Sequence, residues 1–388
     1  MKHLNQFITE YIVKKKLDKA IDSEDHYDYF PESKEELTEN IEELANKGIY
    51  DFNCINTSKI TDMSNLFKYI DLYKVNFNIS KWDVSNVTNM NYMFHGCIKF
   101  DCDLSNWDVS NVLSMTSMFD KCQNFTGKGL ENWDVGKVRN MQYMFNDCKE
   151  LNCDLSKWNL HSVVYMHYMF FDCKKFDCDL SNWDVSNVEN MMSTFFGCTK
   201  FTGKGLENWD VSKVRNMKYM FNDCKEFNCD LSKWNPRSVV YIQYMFFDCK
   251  KFDCDLNNWD VSNVENMMST FFGCTKFTGK GLENWDISNV RNMPCLFMKC
   301  RKFNVDLSNW NTSNVRNLSH TFAKCTKFEG KGLDKWKTTN FVHTNNMFLD
   351  CKNFNCDLSK WNLKNILDMS GMFDGCTSLE NKPSWYKK

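Results

Sequence analysis

The chain has 388 residues, with 48 Lys and Arg against 50 Asp and Glu and a net charge of −2. That balance excludes the single-sign field which would make nucleic acid or an anionic membrane a default partner. Hydrophobic residues make up 43% and aromatic residues 15%, enough for a packed core, yet no apolar run reaches the ~18 residues of a membrane span.

No charge-free apolar run near the N-terminus reads as a signal peptide, because Glu10 and Lys14 to Lys16 interrupt it. The expected setting is therefore the cytoplasm, or the interior of a virion or host cell, with the 20 cysteines as thiols. Residues 1–22 predict an amphipathic helix, since Leu4, Phe7, Ile8, Tyr11 and Ile12 share one helical face. Residues 23–32 form a polar and aromatic connector. A second helix is expected from Ser33, with Glu36 at capping-box spacing, Leu37, Ile41 and Leu44 as its buried stripe, and Gly48 as C-cap. Residues 1–50 then make a helical N-terminal cap for the repeats that begin at residue 51.

From Trp82 to Trp361 a tryptophan returns every 25 or 26 residues, at twelve positions. Its surroundings return with it: Leu104, Trp107, Val109, Val112, Met115, Met118, Phe119, Cys122 and Phe125 in one coil, Leu180 to Phe201 in another. A fixed period of this length signals a solenoid whose units bury their apolar sides only against neighbours. Phe52, Ile55, Thr57, Ile60, Met63, Leu66 and Phe67 give a disguised first coil, with Ile55 in the tryptophan's place. The solenoid is expected over residues 51–379 as about 13 coils, and 380–388 is a tail whose Trp385 can lie over the last coil. Blocks 101–176, 177–252 and 253–328 repeat three coils each. One coil per block carries an extra residue in Gly127-Lys-Gly129 and its counterparts, and the paired glycines suit positive φ.

Trp107 and Val109 alternate with Asn106, Asp108 and Ser110, which predicts a short strand. From Val112 the apolar period becomes three, which predicts a helical or 3-10 turn. The expected fold is an α/β solenoid: a leucine-rich-repeat-like, right-handed coil stack with one short parallel strand and one short helical turn per coil.

The pattern Leu-x-x-Trp-x-Val-x-x-Val-x-x-Met-x-x-Met-Phe-x-x-Cys resembles the BspA-like leucine-rich repeat proteins of bacterial surfaces, bacteriophages and giant viruses. The likeness covers residues 52–379, and Ser33 to Leu37 looks like the family's lead-in. It implies a horseshoe that adheres to or binds proteins, not an enzyme. The secretion signal, lipid-anchor cysteine and wall anchor of the surface members are missing, which leaves protein binding as the expectation.

Candidate chemistry meets a plainer explanation at each point. Cysteines recur once per coil, and six coils add a second five residues on, as in Cys97/Cys102 and Cys148/Cys153. Buried small residues explain them more simply than regulatory thiols or a metal site, which needs convergent ligands. The pairs Asp101/Asp103, Asp177/Asp179 and Asp253/Asp255 suit turn capping better than a calcium ladder. Gly127-Lys-Gly129 lacks the ending of a phosphate loop. The seven histidines share no coil position, and no nucleophile has a defensible base. No catalytic residue, metal or cofactor is expected.

The outward polar residues remain. Asp108, Asp134, Asp184, Asp210, Asp260 and Asp286 form an acidic ribbon beside the tryptophans. It is interrupted by Lys157, His161 and Tyr165, and again by Lys233, Arg237 and Tyr241. Basic and aromatic residues of this kind anchor interfaces, although a solvated face accounts for them too. The expected function is non-enzymatic protein binding with a protein partner of unspecified identity and no nucleic acid. The alternative is a structural or surface component that self-associates or mediates adhesion.

Overall fold

The computed structural model describes residues 27–386, so the helix expected over 1–22 lies outside the described residues. Helix α1 spans Lys34–Asn46 and buries Leu37, Ile41 and Leu44. The Ser33 hydroxyl accepts the Glu36 N–H at 3.1 Å, while the Glu36 carboxylate accepts the Glu32 N–H at 2.8 Å, one residue before the capping-box position. Gly48, at φ 74°, ends the helix: Ile49 N–H donates to Leu44 C=O at 3.0 Å and Gly48 N–H to Ala45 C=O at 2.9 Å, a Schellman pair.

Each coil is a succession of tight turns. In one coil N–H groups donate three residues back from Trp107 to Leu104 (3.1 Å), Val112 to Val109 (2.9 Å), Met118 to Met115 (3.2 Å), Cys122 to Phe119 (2.9 Å) and Phe125 to Cys122 (3.0 Å). The apolar residues stand at the corners, so the period of three is the period of the turns. Between them, Met115, Ser117, Phe119 and Lys121 donate to Asn140, Gln142, Met144 and Asn146 of the next coil at 3.0, 2.9, 2.9 and 2.7 Å. Amides thus alternate between their own turn and the neighbouring coil. Ser117 and Lys121 take left-handed φ of 52° and 64° to allow this, as do Tyr143 and Asp147 at 57° and 58° one coil on.

This corrects the expected element pattern. The segment Leu104 to Val109 is no strand: Leu104 to Trp107 closes as a turn, and only a short extended link joins it to the next. Coils pair instead through single parallel bridges such as Asn89–Ser114, Ser114–Asn140 and Asn140–Tyr165, inside the segment expected to be helical. The 3-10 turns described lie elsewhere, at Leu130–Asn132, Leu206–Asn208, Leu282–Asn284 and Leu333–Lys335. Each follows a Gly-Lys-Gly insert, whose Gly127 and Gly129 have φ of 89° and 93°. A Cβ on Gly129 would stand 2.2 Å from Ser105 N, so backbone contact between coils fixes that glycine. The result is a repeat solenoid built from turns, with one α-helix among the described residues.

Aromatic stacks run through the core. Phe94, Phe119, Phe145, Phe170 and Phe195 follow one another at centroid spacings of 5.2, 5.6, 5.5 and 5.6 Å. The tryptophans stack at 6.2 Å from Trp107 to Trp133 and 6.4 Å from Trp133 to Trp158. Their indole N–H groups also donate into the preceding coil, as Trp158 does to Leu130 C=O and Trp234 to Leu206 C=O, both at 2.8 Å. That bond satisfies the one polar atom of a side chain otherwise buried among hydrocarbon. Trp385 in the tail extends the stack, 6.3 Å from Trp361 and bonded to Leu358 C=O at 2.8 Å. Ile55 fills the tryptophan's place in the first coil and is fully buried.

Candidate functional site

The acidic ribbon is exposed but already engaged. Asp108, Asp184, Asp260 and Asp286 each accept the backbone N–H two residues on, from Ser110, Ser186, Ser262 and Ser288, at 3.0, 3.0, 3.0 and 2.9 Å. Asp210 does the same with Ser212 at 2.9 Å and Asp134 with Gly136 at 3.0 Å. These are Asx turns, in which the carboxylate closes the loop leading to the next valine. The serine hydroxyl, then the backbone amide, holds Asp108, Asp184 and Asp210 below the usual carboxylate range. The asparagine before that valine is also used: Asn111, Asn187 and Asn263 donate to the carbonyls of Ser85, His161 and Arg237 one coil back.

Lys157, His161, Tyr165, Lys233, Arg237 and Tyr241 do not form one cluster. His161 joins Leu113, Lys137, Arg139, Val164, Glu189 and Lys213 around an open groove of about 580 Å³. Lys233 and Arg237 line a second, smaller groove with Asn208 and Asp210. Tyr165 and Tyr241 stand 45% and 50% exposed in the row that carries the inter-coil bridges. In that row Asn140, Asn190, Asn216 and Asn266 each accept the N–H two residues on, at 3.1, 3.0, 3.1 and 2.9 Å. A tyrosine at these positions has no carboxamide to do so. The Tyr165 ring lies edge-on to His167 at 6.5 Å, and burial lowers the His167 pKa.

The first groove is lined by Leu113, Arg139, Val164 and Glu189, part of a row outside the expected candidates that Arg215 and Val240 continue. The sequence does carry a signal for it, since this place between the core valine and the bridge residue changes from coil to coil between basic, acidic and apolar side chains.

The other candidates resolve into structure. The once-per-coil thiols donate to phenylalanine carbonyls of the preceding coil, as Cys122 does to Phe94 at 3.0 Å and Cys249 to Phe221 at 2.9 Å. The second cysteines are not activated, because burial pushes Cys153, Cys229 and Cys254 up to about 12. Asp101 accepts the Thr126 N–H at 2.9 Å. Asp103 accepts the Ser105 N–H at 3.0 Å and pairs with Lys128 at 2.8 Å, and the lysine contact draws its carboxyl down to about 2. Among the described residues no three His, Cys, Asp or Glu side chains gather as a metal would need. A half-buried aromatic chain includes the stacked pairs Tyr143–Tyr168 and Phe171–Phe196, at 4.6 and 4.5 Å.

The geometry defines a class: a repeat solenoid whose recurring polar side chains close turns while variable positions stay free on one face. More particularly, the chain belongs to the family described as "Mycoplasma protein of unknown function, DUF285", matched in four overlapping stretches at residues 35–129, 114–205, 178–281 and 266–386. No curated protein matches the chain. Among solved structures it is similar to the one titled "Crystal structure of TLR13-ssRNA13 complex", at 10% identity and a TM-score of 0.23, over 89% of this chain and 51% of that one. The chain thus spans about half of that structure's length, and an overlay at this score supports no argument about ligands. Among the described residues no helix is long and apolar enough to cross a membrane.

Proposed function

We propose that the chain is a BspA-like, leucine-rich-repeat-like protein that binds a protein partner and carries no catalytic site, acting in the cytoplasm or an equivalent reducing interior. The observation that carries this reading is the placement of Tyr165 and Tyr241. Each stands exposed where neighbouring coils put an asparagine that closes a turn. A residue that forgoes a local hydrogen bond and presents an aromatic ring to solvent suits an interface anchor. The binding face centres on these tyrosines and the groove around Val164, with His161, Arg237, Lys157 and Lys233 at its rim. The aspartate ribbon contributes chiefly by holding the turns.

The test is affinity capture from native lysate under reducing conditions with wild type and the Tyr165→Asn/Tyr241→Asn double variant. A partner retained by wild type and lost by the variant is expected. Equal retention by both would move the site off this face. The structural alternative, in which copies of the chain associate, draws support from the order of charges on the same face.

A further inference from the structure

Resting on the reading of this face as a binding surface, we infer that it takes a second copy of the chain, antiparallel and face to face, about a two-fold axis crossing the solenoid between Glu189 and Arg215. Backbone hydrogen bonds between coils tie together the first five residues of the row. Val164 N–H donates to Arg139 C=O, Glu189 to Val164, Arg215 to Glu189 and Val240 to Arg215, at 3.0, 3.1, 2.9 and 2.9 Å. It reads Arg139, Val164, Glu189, Arg215, Val240, Glu265, with the charged residues exposed and the valines half-buried.

Reversed, this order is its own complement. Arg139 meets Glu265 of the other copy, Val164 meets Val240, and Glu189 meets Arg215, each contact occurring twice. The flanking rows agree: Tyr165 meets Tyr241, Ser162 meets Ser238, and Lys213 meets Asn187. Only at the rim do basic side chains face each other, His161 against Arg237 and Lys157 against Lys233. Two alternatives are penalised. A parallel pairing sets every charge against its own kind, and a slip of one coil sets Arg215 on Arg215 or Glu189 on Glu189. Like charges opposed in this way cost several kcal/mol and so count against both.

Within the chain these charges are little used. Among the described residues no ion pair engages Arg139, Glu189 or Arg215, and Glu265 has only a loose contact of 3.9 Å with Arg291. The six coils involved span roughly 25–30 Å at ~4.8 Å per coil. The groove of about 580 Å³ with Val164 in its lining is where Val240 and Tyr241 of the second copy seat.

Sedimentation velocity of the purified full chain over a dilution series tests this. Wild type is expected to dimerise reversibly. Arg215→Glu, which sets glutamate against Glu189, should weaken the dimer by at least about tenfold, and Glu189→Arg should do likewise. The swap Glu189→Arg/Arg215→Glu should restore it. Thermal melts of each variant separate loss of the dimer from loss of the fold. A wild type that stays monomeric into the high-micromolar range overturns the inference, and so does a dimer indifferent to both single reversals. If the chain is monomeric yet Tyr165→Asn/Tyr241→Asn still loses a lysate partner, the inference falls and the binding function stands.

Discussion

The aspartate ribbon and the tyrosine row lie on the same coils, a few residues apart, and both are open to water. Asp210 is fixed by the amide of Ser212 at 2.9 Å, whereas Tyr241 occupies a place from which the usual turn-closing bond has been removed. Exposure alone therefore does not mark a binding residue in a repeat array. What repeats in every coil is under the shared demand of closing that coil. What departs from the repeat, at a structural cost, is the better candidate for recognition.

The largest expected effect tests the interior against which both rows are judged. The core thiols have folded pKa values above their ordinary value of 9.0, with Cys97 pushed up to about 12 by burial. The unfolded chain therefore loses thiol protons first as pH rises. The stability this contributes is complete below pH ~9 and is lost as pH climbs from there towards about 12. Melting temperature should fall steeply above pH ~9, while native thiols stay slow towards an alkylating reagent at neutral pH. Rapid labelling of the native protein at neutral pH would show the cysteine ladder to be open.

The acid side probes the ribbon itself. The folded pKa values of Asp108, Asp184 and Asp210 are depressed, as are those of Asp154, Asp179 and Asp230 outside the ribbon. The unfolded chain therefore takes up protons first as pH falls. The contribution is complete above the ordinary value of 3.8 and lost as pH drops through about 2, the value reached by Asp103. A melting curve flat between pH ~5 and ~2 would mean that the aspartates do not hold the turns. The same comparison is sharpened by Asp184→Lys/Asp210→Lys/Asp260→Lys. This variant should lose roughly 1–3 kcal/mol of stability in urea titration, because three charge-assisted turn bonds go. The corresponding triple asparagine variant, which keeps an acceptor, should lose much less.

Much of this architecture was legible in the sequence. The tryptophan period marked the solenoid, Ile55 was recognisable as a stand-in, and Ser33, Gly48 and the Gly-Lys-Gly inserts announced their turns. The hydrogen bonding was not legible. An apolar period of three fits a 3-10 helix and a chain of tight turns equally well, because both put every third side chain on one side. The clue lay in the place held by Gly96, Lys121, Asp147, Asp172 and Gly197. All five are left-handed, with φ of 79°, 64°, 58°, 60° and 71°, and alternation of glycine with polar residues is how such a site shows itself. At the candidate site, side-chain type picked out Tyr165 and Tyr241. It did not show that the aspartates close turns, because their partner is a backbone amide that no pattern of side chains displays. It also passed over Glu189 and Arg215, whose meaning depends on the order of charges along the axis.

The smallest effect is the most discriminating, because its sign is opposite to that of an ordinary substitution. Tyr165→Asn places in the bridge row the residue used by the coils on either side, where Asn140 and Asn190 accept N–H groups at 3.1 and 3.0 Å. The new carboxamide can accept the His167 N–H in the same way, and the ring it replaces is 45% exposed. The exchange gives up little buried area and gains one local hydrogen bond, worth about 0.5–1 kcal/mol. The variant should therefore melt at or slightly above the wild-type temperature while its binding is lost. A clear drop in melting temperature would mean that Tyr165 serves the coil, and the distinction between the two rows would then fail at the residue on which it chiefly rests.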